Sequence, residues 1–135
     1  MKLFHHTDND GLMSGSIIYN TFMNKEDWSL SLRNKDVKMY NYNENFPIKY
    51  SDINYGETVF FVDLCIDDNI CEAIINLIKL YNCKIVYIDH HLKSVHACDC
   101  IRNGDVTNTM FQQYVIDKRV TIEDLRKNIS WFFSI

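Results

Sequence analysis

The chain has 135 residues, of which 47% are hydrophobic, and a formal net charge of −4, which is enough for one domain with a full core. It lacks the excess of lysine and arginine with which duplex-binding proteins grip phosphates, so bound cations would have to supply the positive charge for a phosphate ester. No apolar run is long enough to span a bilayer, and the first six residues turn polar too soon for a signal peptide. We therefore expect a cytoplasmic protein without membrane contact, and we favour a metal-dependent enzyme over a non-specific nucleic-acid binder.

Cysteine usage fits a reducing compartment. The five cysteines are Cys65, Cys71, Cys83, Cys98 and Cys100. An odd number without a signal peptide favours reduced, mostly buried thiols over a disulfide framework. His96, Cys98 and Cys100 are close enough in sequence for a small zinc site, but a second ligand pair at zinc-finger spacing is missing.

In the first half of the chain, two predicted strands flank one predicted helix. Lys2–His6 is a short apolar segment that turns polar at its end, which is typical of a strand. Residues 11–24 carry apolar side chains at roughly helical spacing, with Asp10 before them as the expected N-cap. Residues 37–42 predict a second strand, and residues 43–55 are polar and contain the only proline, which indicates a loop.

The middle of the chain continues the alternation. Residues 58–64 are rich in β-branched and aromatic side chains, which favours a strand buried on both faces. Asp67 is the expected N-cap of a helix that runs to about Tyr81 with one apolar face. Residues 84–88 predict a fourth buried strand.

After a predicted loop, the last third of the chain has two helical patterns, at residues 107–116 and 122–132. The alternation of strands and helices predicts an α/β fold, with a doubly wound parallel β-sheet and helices on both faces. We expect residues 1–135 to form a single domain.

Side chains that bind metals follow three of the predicted strands. They are His6, Asp8 and Asp10 after the first, Asp63 after the third, and Asp89, His90 and His91 after the fourth. Ligands of parallel α/β sheets lie beyond the carboxyl ends of the strands, and alternate residues of an extended segment point to one side. A mixed set of carboxylates and imidazoles suits manganese, and magnesium less well. Two such ions can activate water and clamp a phosphate.

Structural roles compete with ligation at single positions. Taken alone, Asp10 suits a helix N-cap better than a metal ligand, although one carboxylate can serve both purposes. Asp63 suits a turn at the end of a strand as well as it suits ligation. His5 points opposite to His6, so we assign it to the core. His96 falls in a predicted loop, where we expect it to be exposed.

The motifs together resemble those of a known family. The segment H-x-D-x-D-G at residues 6–11, the lone Asp63 after an apolar strand and the triplet Asp89-His90-His91 resemble the first three motifs of the DHH phosphoesterases. That family includes single-strand exonucleases, nanoRNases, cyclic-dinucleotide phosphodiesterases, exopolyphosphatases and manganese pyrophosphatases. The resemblance covers residues 2–116 and implies a hydrolase that cleaves phosphodiester bonds in short oligonucleotides or in cyclic or other small nucleotides.

The resemblance also implies a role for each ligand of a two-manganese centre, with magnesium as the alternative ion. His6 and Asp8 would hold the first ion. Asp10 and His90 would hold the second, and Asp63 would bridge the two.

On the substrate side, the resemblance implies that His91 acts as a catalytic residue facing the substrate phosphate. Asp89 would orient the histidines through hydrogen bonds without binding a metal ion itself. Residues 103–107 resemble the turn that opens the next helix in members that cleave oligonucleotides, and this turn contains Asp105, a further candidate for substrate or metal binding.

Two departures from the family pattern bear on activity. The family's fourth-motif aspartate has no clear equivalent, with Asp105 the best candidate, and we expect residues 1–135 to lack the family's second, substrate-binding domain. We therefore predict a weak second metal site, completed by high manganese, by a homo-oligomer or by a partner docked on the C-terminal aromatic tail, Trp131-Phe132-Phe133. The alternative function is a nucleotide- or protein-binding module. Pyrophosphate or polyphosphate hydrolysis is a weaker alternative, because those relatives have a longer first motif.

Overall fold

The computed structural model of the protein describes residues 1–23, 36–42 and 44–133. One sheet of five parallel strands organises this part of the chain, in the order β2-β1-β3-β4-β5. The strands are β1 (Lys2–His6), β2 (Val37–Tyr40), β3 (Thr58–Val62), β4 (Lys84–Asp89) and β5 (Ile129–Phe133). The predicted α/β class with a parallel sheet is confirmed, and β2 and β3 each end two residues earlier than expected.

The helices cover both faces of the sheet. They are α1 (Asn9–Ile18), which continues as a π-helical turn (Tyr19–Met23), α2 (Asp68–Tyr81), α3 (Leu92–Arg102), α4 (Gln112–Ile116) and α5 (Ile122–Asn128). The predicted end of the first helix at residue 24 lies outside the described residues. Among the helices that the structure describes, none is both long and apolar enough to cross a membrane.

The sheet separates two hydrophobic cores, because successive residues of a strand point to opposite faces. On one face, Ile18 of α1 packs in a small core with Phe60 of β3. On the other face, Phe61 of β3 joins a larger core that contains Ile74 of α2 and Leu125 of α5. Strand β3 is therefore covered on both sides, as its composition predicts.

Helix α2 confirms its sequence signals. The Asp67 carboxylate accepts a hydrogen bond from the Ile70 amide at 2.8 Å and caps the helix. Its inner face is buried at Ile70, Ile74, Leu77 and Ile78. The helix ends at Tyr81, and its C-cap Asn82 has a φ of 51°, the left-handed conformation that closes many helices.

The predicted helix at residues 122–132 is wrong beyond Asn128, where the chain enters the edge strand β5. In this strand Ile129 and Trp131 are buried, whereas Phe132 is 57% exposed, which is the period of two of a half-covered strand. The Trp131 ring packs against Tyr87 of β4 with a centroid distance of 5.0 Å. Pairing with β4 therefore overrides the local helical pattern.

Two further expectations about the last third are wrong. The predicted loop after His91 is the helix α3, which buries Ala97, Cys98 and Ile101 against the larger core. The predicted helix at residues 107–116 forms only from Gln112 onwards. Its first part is a turn, because Asn108 adopts a φ of 64° and the Thr109 hydroxyl bonds the Val106 carbonyl at 2.7 Å.

Candidate metal centre

Three neighbouring strands deliver the candidate ligands to one edge of the sheet. His6 is the last residue of β1, Asp63 follows β3 directly, and Asp89 is the last residue of β4. Since β1, β3 and β4 are adjacent and parallel, their carboxyl ends meet there. His5 points the other way and is fully buried, as expected for a core residue.

The start of α1 lies against the end of β1 because position 11 is a glycine. A Cβ on Gly11 would lie 2.3 Å from the carbonyl oxygen of His6. The Asp8 carboxylate accepts a hydrogen bond from the Gly11 amide at 2.7 Å, which holds the pKa of Asp8 below its ordinary value. Asp8 is therefore the N-cap, and the expectation that Asp10 caps this helix is wrong, because the helix begins two residues earlier than predicted.

One group of ligand atoms is formed by His6, Asp8 and Asp63, whose candidate atoms all lie within 4.8 Å of one another. His6 Nδ1 is 3.1 Å from an Asp8 carboxylate oxygen. The His6 ring stacks on Tyr42 at a centroid distance of 4.7 Å, and the Tyr42 hydroxyl accepts a hydrogen bond from the Cys65 amide at 2.7 Å.

Sequence reasoning missed Tyr42, which fixes the orientation of a candidate ligand. Burial raises the pKa of its phenol to about 12, so Tyr42 itself stacks on His6 as an uncharged phenol. The available signal was its position just beyond β2, the strand that pairs with β1.

A second group is formed by Asp63, Asp89, His90 and His91, again with candidate atoms within 4.8 Å of one another. His90 Nε2 lies 2.9 Å from an Asp63 oxygen, and His91 Nδ1 lies 2.7 Å from an Asp89 oxygen. The second contact has the geometry expected if Asp89 orients His91. The ring of His91 remains partly exposed, with 37% of its side-chain surface accessible.

Asp63 belongs to both groups, and its surroundings favour a nearby cation. The residue is 5% exposed, and burial raises the pKa of its carboxyl. Its backbone adopts a φ of 55°, in the left-handed region that aspartate enters more readily than most residues with a Cβ.

Asp89 supplies an independent test of whether a cation fits. Its carboxylate is buried, and the Oδ2 atom has no hydrogen-bond partner among the described residues. An unpaired buried carboxylate oxygen is costly, and a bound cation relieves that cost. The donor set of carboxylates and imidazoles therefore fits a divalent metal ion.

The two remaining predicted site residues stand apart from these groups. Asp10 is exposed in the first turn of α1, where the chain is no longer extended and alternate residues do not share a side. The Asp105 amide bonds the carbonyl of Cys100, nine residues along α3 from His91, which corresponds to about 13 Å of helix. In the described part of the chain, neither joins a ligand group.

The candidate zinc ligands and the C-terminal aromatic tail are the remaining features predicted from the sequence. Cys98 is buried on the core side of α3, whereas Cys100 turns its sulfur towards the exposed His96 at 3.6 Å, so the three do not converge on a zinc ion. All five cysteines are free thiols, as expected. Trp131 of the C-terminal aromatic tail is buried, which leaves Phe132 as its exposed large apolar side chain.

Fold and site together define a class: an α/β domain with a candidate metal centre at the carboxyl ends of parallel strands. No protein-family model, no curated protein and no solved structure matches this chain.

Proposed function

We propose that this protein is a DHH-type phosphoesterase that uses two manganese ions to hydrolyse phosphodiester bonds in short oligonucleotides or in cyclic or other small nucleotides. The observation that carries the proposal is the position of Asp63 in both ligand groups. A carboxylate shared by two groups is the arrangement that a two-ion centre needs, because it can bridge ions about 3.5–4 Å apart.

The charges of the centre favour divalent cations. The two groups contain three carboxylates, from Asp8, Asp63 and Asp89, whose negative charges divalent cations would offset. His6, Asp8 and Asp63 would hold one ion, and Asp63 and His90 would hold the other, with Asp10 as the further predicted ligand. Imidazole ligands favour manganese over magnesium. When bound, the ions would lower the pKa of a water molecule and neutralise phosphate charge.

His91 is the residue best placed to contact the substrate. Asp89 accepts a hydrogen bond from Nδ1 of His91, which leaves Nε2 available to a phosphate oxygen. His91 is also the N-cap of α3, and within the described residues no side chain caps this helix. The first-turn amides and the positive end of the helix dipole therefore lie beside the centre, where they can stabilise a phosphate.

A binding module remains the second candidate because of one observation. The exposed Asp10 lies outside both ligand groups, so the second ion would have few protein ligands. Such a domain could retain a nucleotide or a partner without turning it over.

Hydrolysis of bis(p-nitrophenyl) phosphate and of a short RNA dinucleotide in manganese tests the proposal. Wild-type turnover should stop in EDTA, and Asp63→Asn should reduce it by at least about 100-fold, because even supporting residues of metal sites can cost that much. Asn keeps the volume and tolerates the left-handed backbone. The matched control is Asp99→Asn, an exposed acid on α3, which should retain full activity.

Three results discriminate between the candidates. Loss of turnover in Asp63→Asn alone supports the phosphoesterase. Manganese binding without any turnover supports the binding module. Wild-type turnover in Asp63→Asn would refute a centre built on that residue.

A further inference from the structure

A cavity of about 390 Å³ opens beside the candidate metal centre, between α3 and the turn that follows it. Ile66, Leu92 and Met110 form apolar walls, and Lys93, Asn108 and Thr109 add polar groups. The volume lies in the range of small-molecule sites, which combine apolar walls with a few polar groups.

The cavity lies close to the metal centre along the chain. Leu92 and Lys93 directly follow His91 and occupy the first turn of α3. On the opposite wall, the Ile66 amide donates a hydrogen bond to the Ser94 hydroxyl at 3.2 Å, which ties the segment after Asp63 to the same helix. A molecule with a phosphate at the metal centre would therefore have this cavity within reach, and Lys93, which lines the cavity, would add a positive charge there.

The apolar rim of the cavity is unusually exposed. Leu92 is 85% exposed, although a leucine at the mouth of an apolar cavity would normally be covered. Scattered exposed leucines need no explanation, but one that adjoins a cavity and a polar centre marks a place where a ligand can pack. A flat heteroaromatic ring has the shape to cover such a side chain.

Asn108 supplies the polar recognition. Its backbone adopts a φ of 64°. The backbone amide of Asn108 donates a hydrogen bond to the side-chain oxygen of Gln112 at 3.2 Å. The side-chain amide of asparagine is both a donor and an acceptor, which matches the edge of a nucleobase. The side chain therefore extends from a turn that is held by hydrogen bonds.

We propose that the cavity binds the nucleoside part of the substrate, with its base against Leu92 and Met110 and within reach of Asn108, while the phosphate lies at the metal centre. The inference rests on the proposed function and narrows its substrate class. It selects diesters that carry a base over pyrophosphate and polyphosphate. A cavity of this size takes one nucleoside, which suits short or terminal substrates.

The test compares two substrates in Leu92→Ala and Asn108→Gly, where glycine preserves the positive φ and removes the amide. The ratio of kcat/KM for an RNA dinucleotide to that for the base-free bis(p-nitrophenyl) phosphate should fall about fourfold in each variant. Fourfold corresponds to the loss of one buried methylene or one modest hydrogen bond. Leu80→Ala, an exposed leucine on α2, should leave the ratio as in the wild type.

Binding of adenosine monophosphate in EDTA, followed by NMR, makes the cavity testable without turnover. Shifts at Asn108, Thr109 and Met110 that weaken in Leu92→Ala would support the inference. An unchanged substrate ratio in both variants would overturn it and leave the proposed function intact. If the wild type hydrolyses neither diester, the proposed function fails, and absence of these shifts would then overturn the cavity assignment as well.

Discussion

Replacing Gly11 by alanine should force α1 away from β1 at the point where both contribute ligands. The added Cβ would lie 2.3 Å from the His6 carbonyl oxygen and 2.7 Å from its carbonyl carbon, and backbone atoms cannot rotate away. Overpacking costs about 1–3 kcal/mol, and a rigid backbone contact belongs at the upper end. Alanine recovers up to about 1 kcal/mol of helix propensity. The net loss is about 2 kcal/mol, or about 8 °C in Tm at roughly 4 °C per kcal/mol.

Thermal unfolding in EDTA measures this loss, and calorimetric titration measures manganese binding. Because the Gly11 amide holds the Asp8 carboxylate, Gly11→Ala should also weaken manganese binding. Gly104→Ala is the control. Its Cβ would meet no described atom within 4 Å, and only its φ of +73° is strained, so it should cost about 1 kcal/mol and leave manganese binding unchanged. Wild-type melting and titration curves for Gly11→Ala would refute the close contact between α1 and β1.

Three further predictions concern individual side chains of the centre. Burial raises the pKa of Asp63 above 3.8, so its contribution to stability is present at low pH and is lost as the pH rises through the folded-state pKa. In EDTA, the melting temperature of Asp63→Asn should therefore exceed that of the wild type at pH 7. The difference in melting temperature should disappear below about pH 4, and melting curves recorded across this pH range measure it. Metal analysis and rate measurements should show that His91→Ala keeps its metal but loses most turnover, whereas His90→Ala loses metal as well. Asp105→Ala should keep both manganese binding and turnover within about twofold, since the Asp105 amide bonds the carbonyl of Cys100, which lies about 13 Å along α3 from His91.

The parts of the fold that the sequence predicts well have strong periodic patterns. β1 and α2 have the expected bounds because their apolar residues recur at strand and helix spacing. Helix α3 was not predicted, because its buried positions include the small or polar residues Ser94, Ala97 and Cys98, which do not form an apolar helical pattern. Strand β5 follows α5 without a break, and its partner β4 lies more than 40 residues earlier, so local pattern could not reveal it.

The candidate site, like the fold, could be predicted from the sequence only in part. The motif residues could be placed together from the sequence because three adjacent parallel strands end there. The exact start of α1 could not be predicted from the sequence. The helix begins two residues earlier than expected, which makes Asp8 the N-cap and leaves Asp10 exposed on the helix. Tyr42 could not be assigned to His6 either, because the contact depends on the pairing of β1 with β2.

Manganese titration followed by electron paramagnetic resonance tests the central claim most directly, because it detects whether two ions share one carboxylate. We predict a first, tight event with the signal of an isolated ion. A second, weaker event should then produce a magnetically coupled pair, and Asp63→Asn should abolish the coupling. Asp99→Asn should leave both events intact. A coupled pair that survives in Asp63→Asn, or binding that never exceeds one ion in the wild type, would contradict a two-ion centre bridged by Asp63.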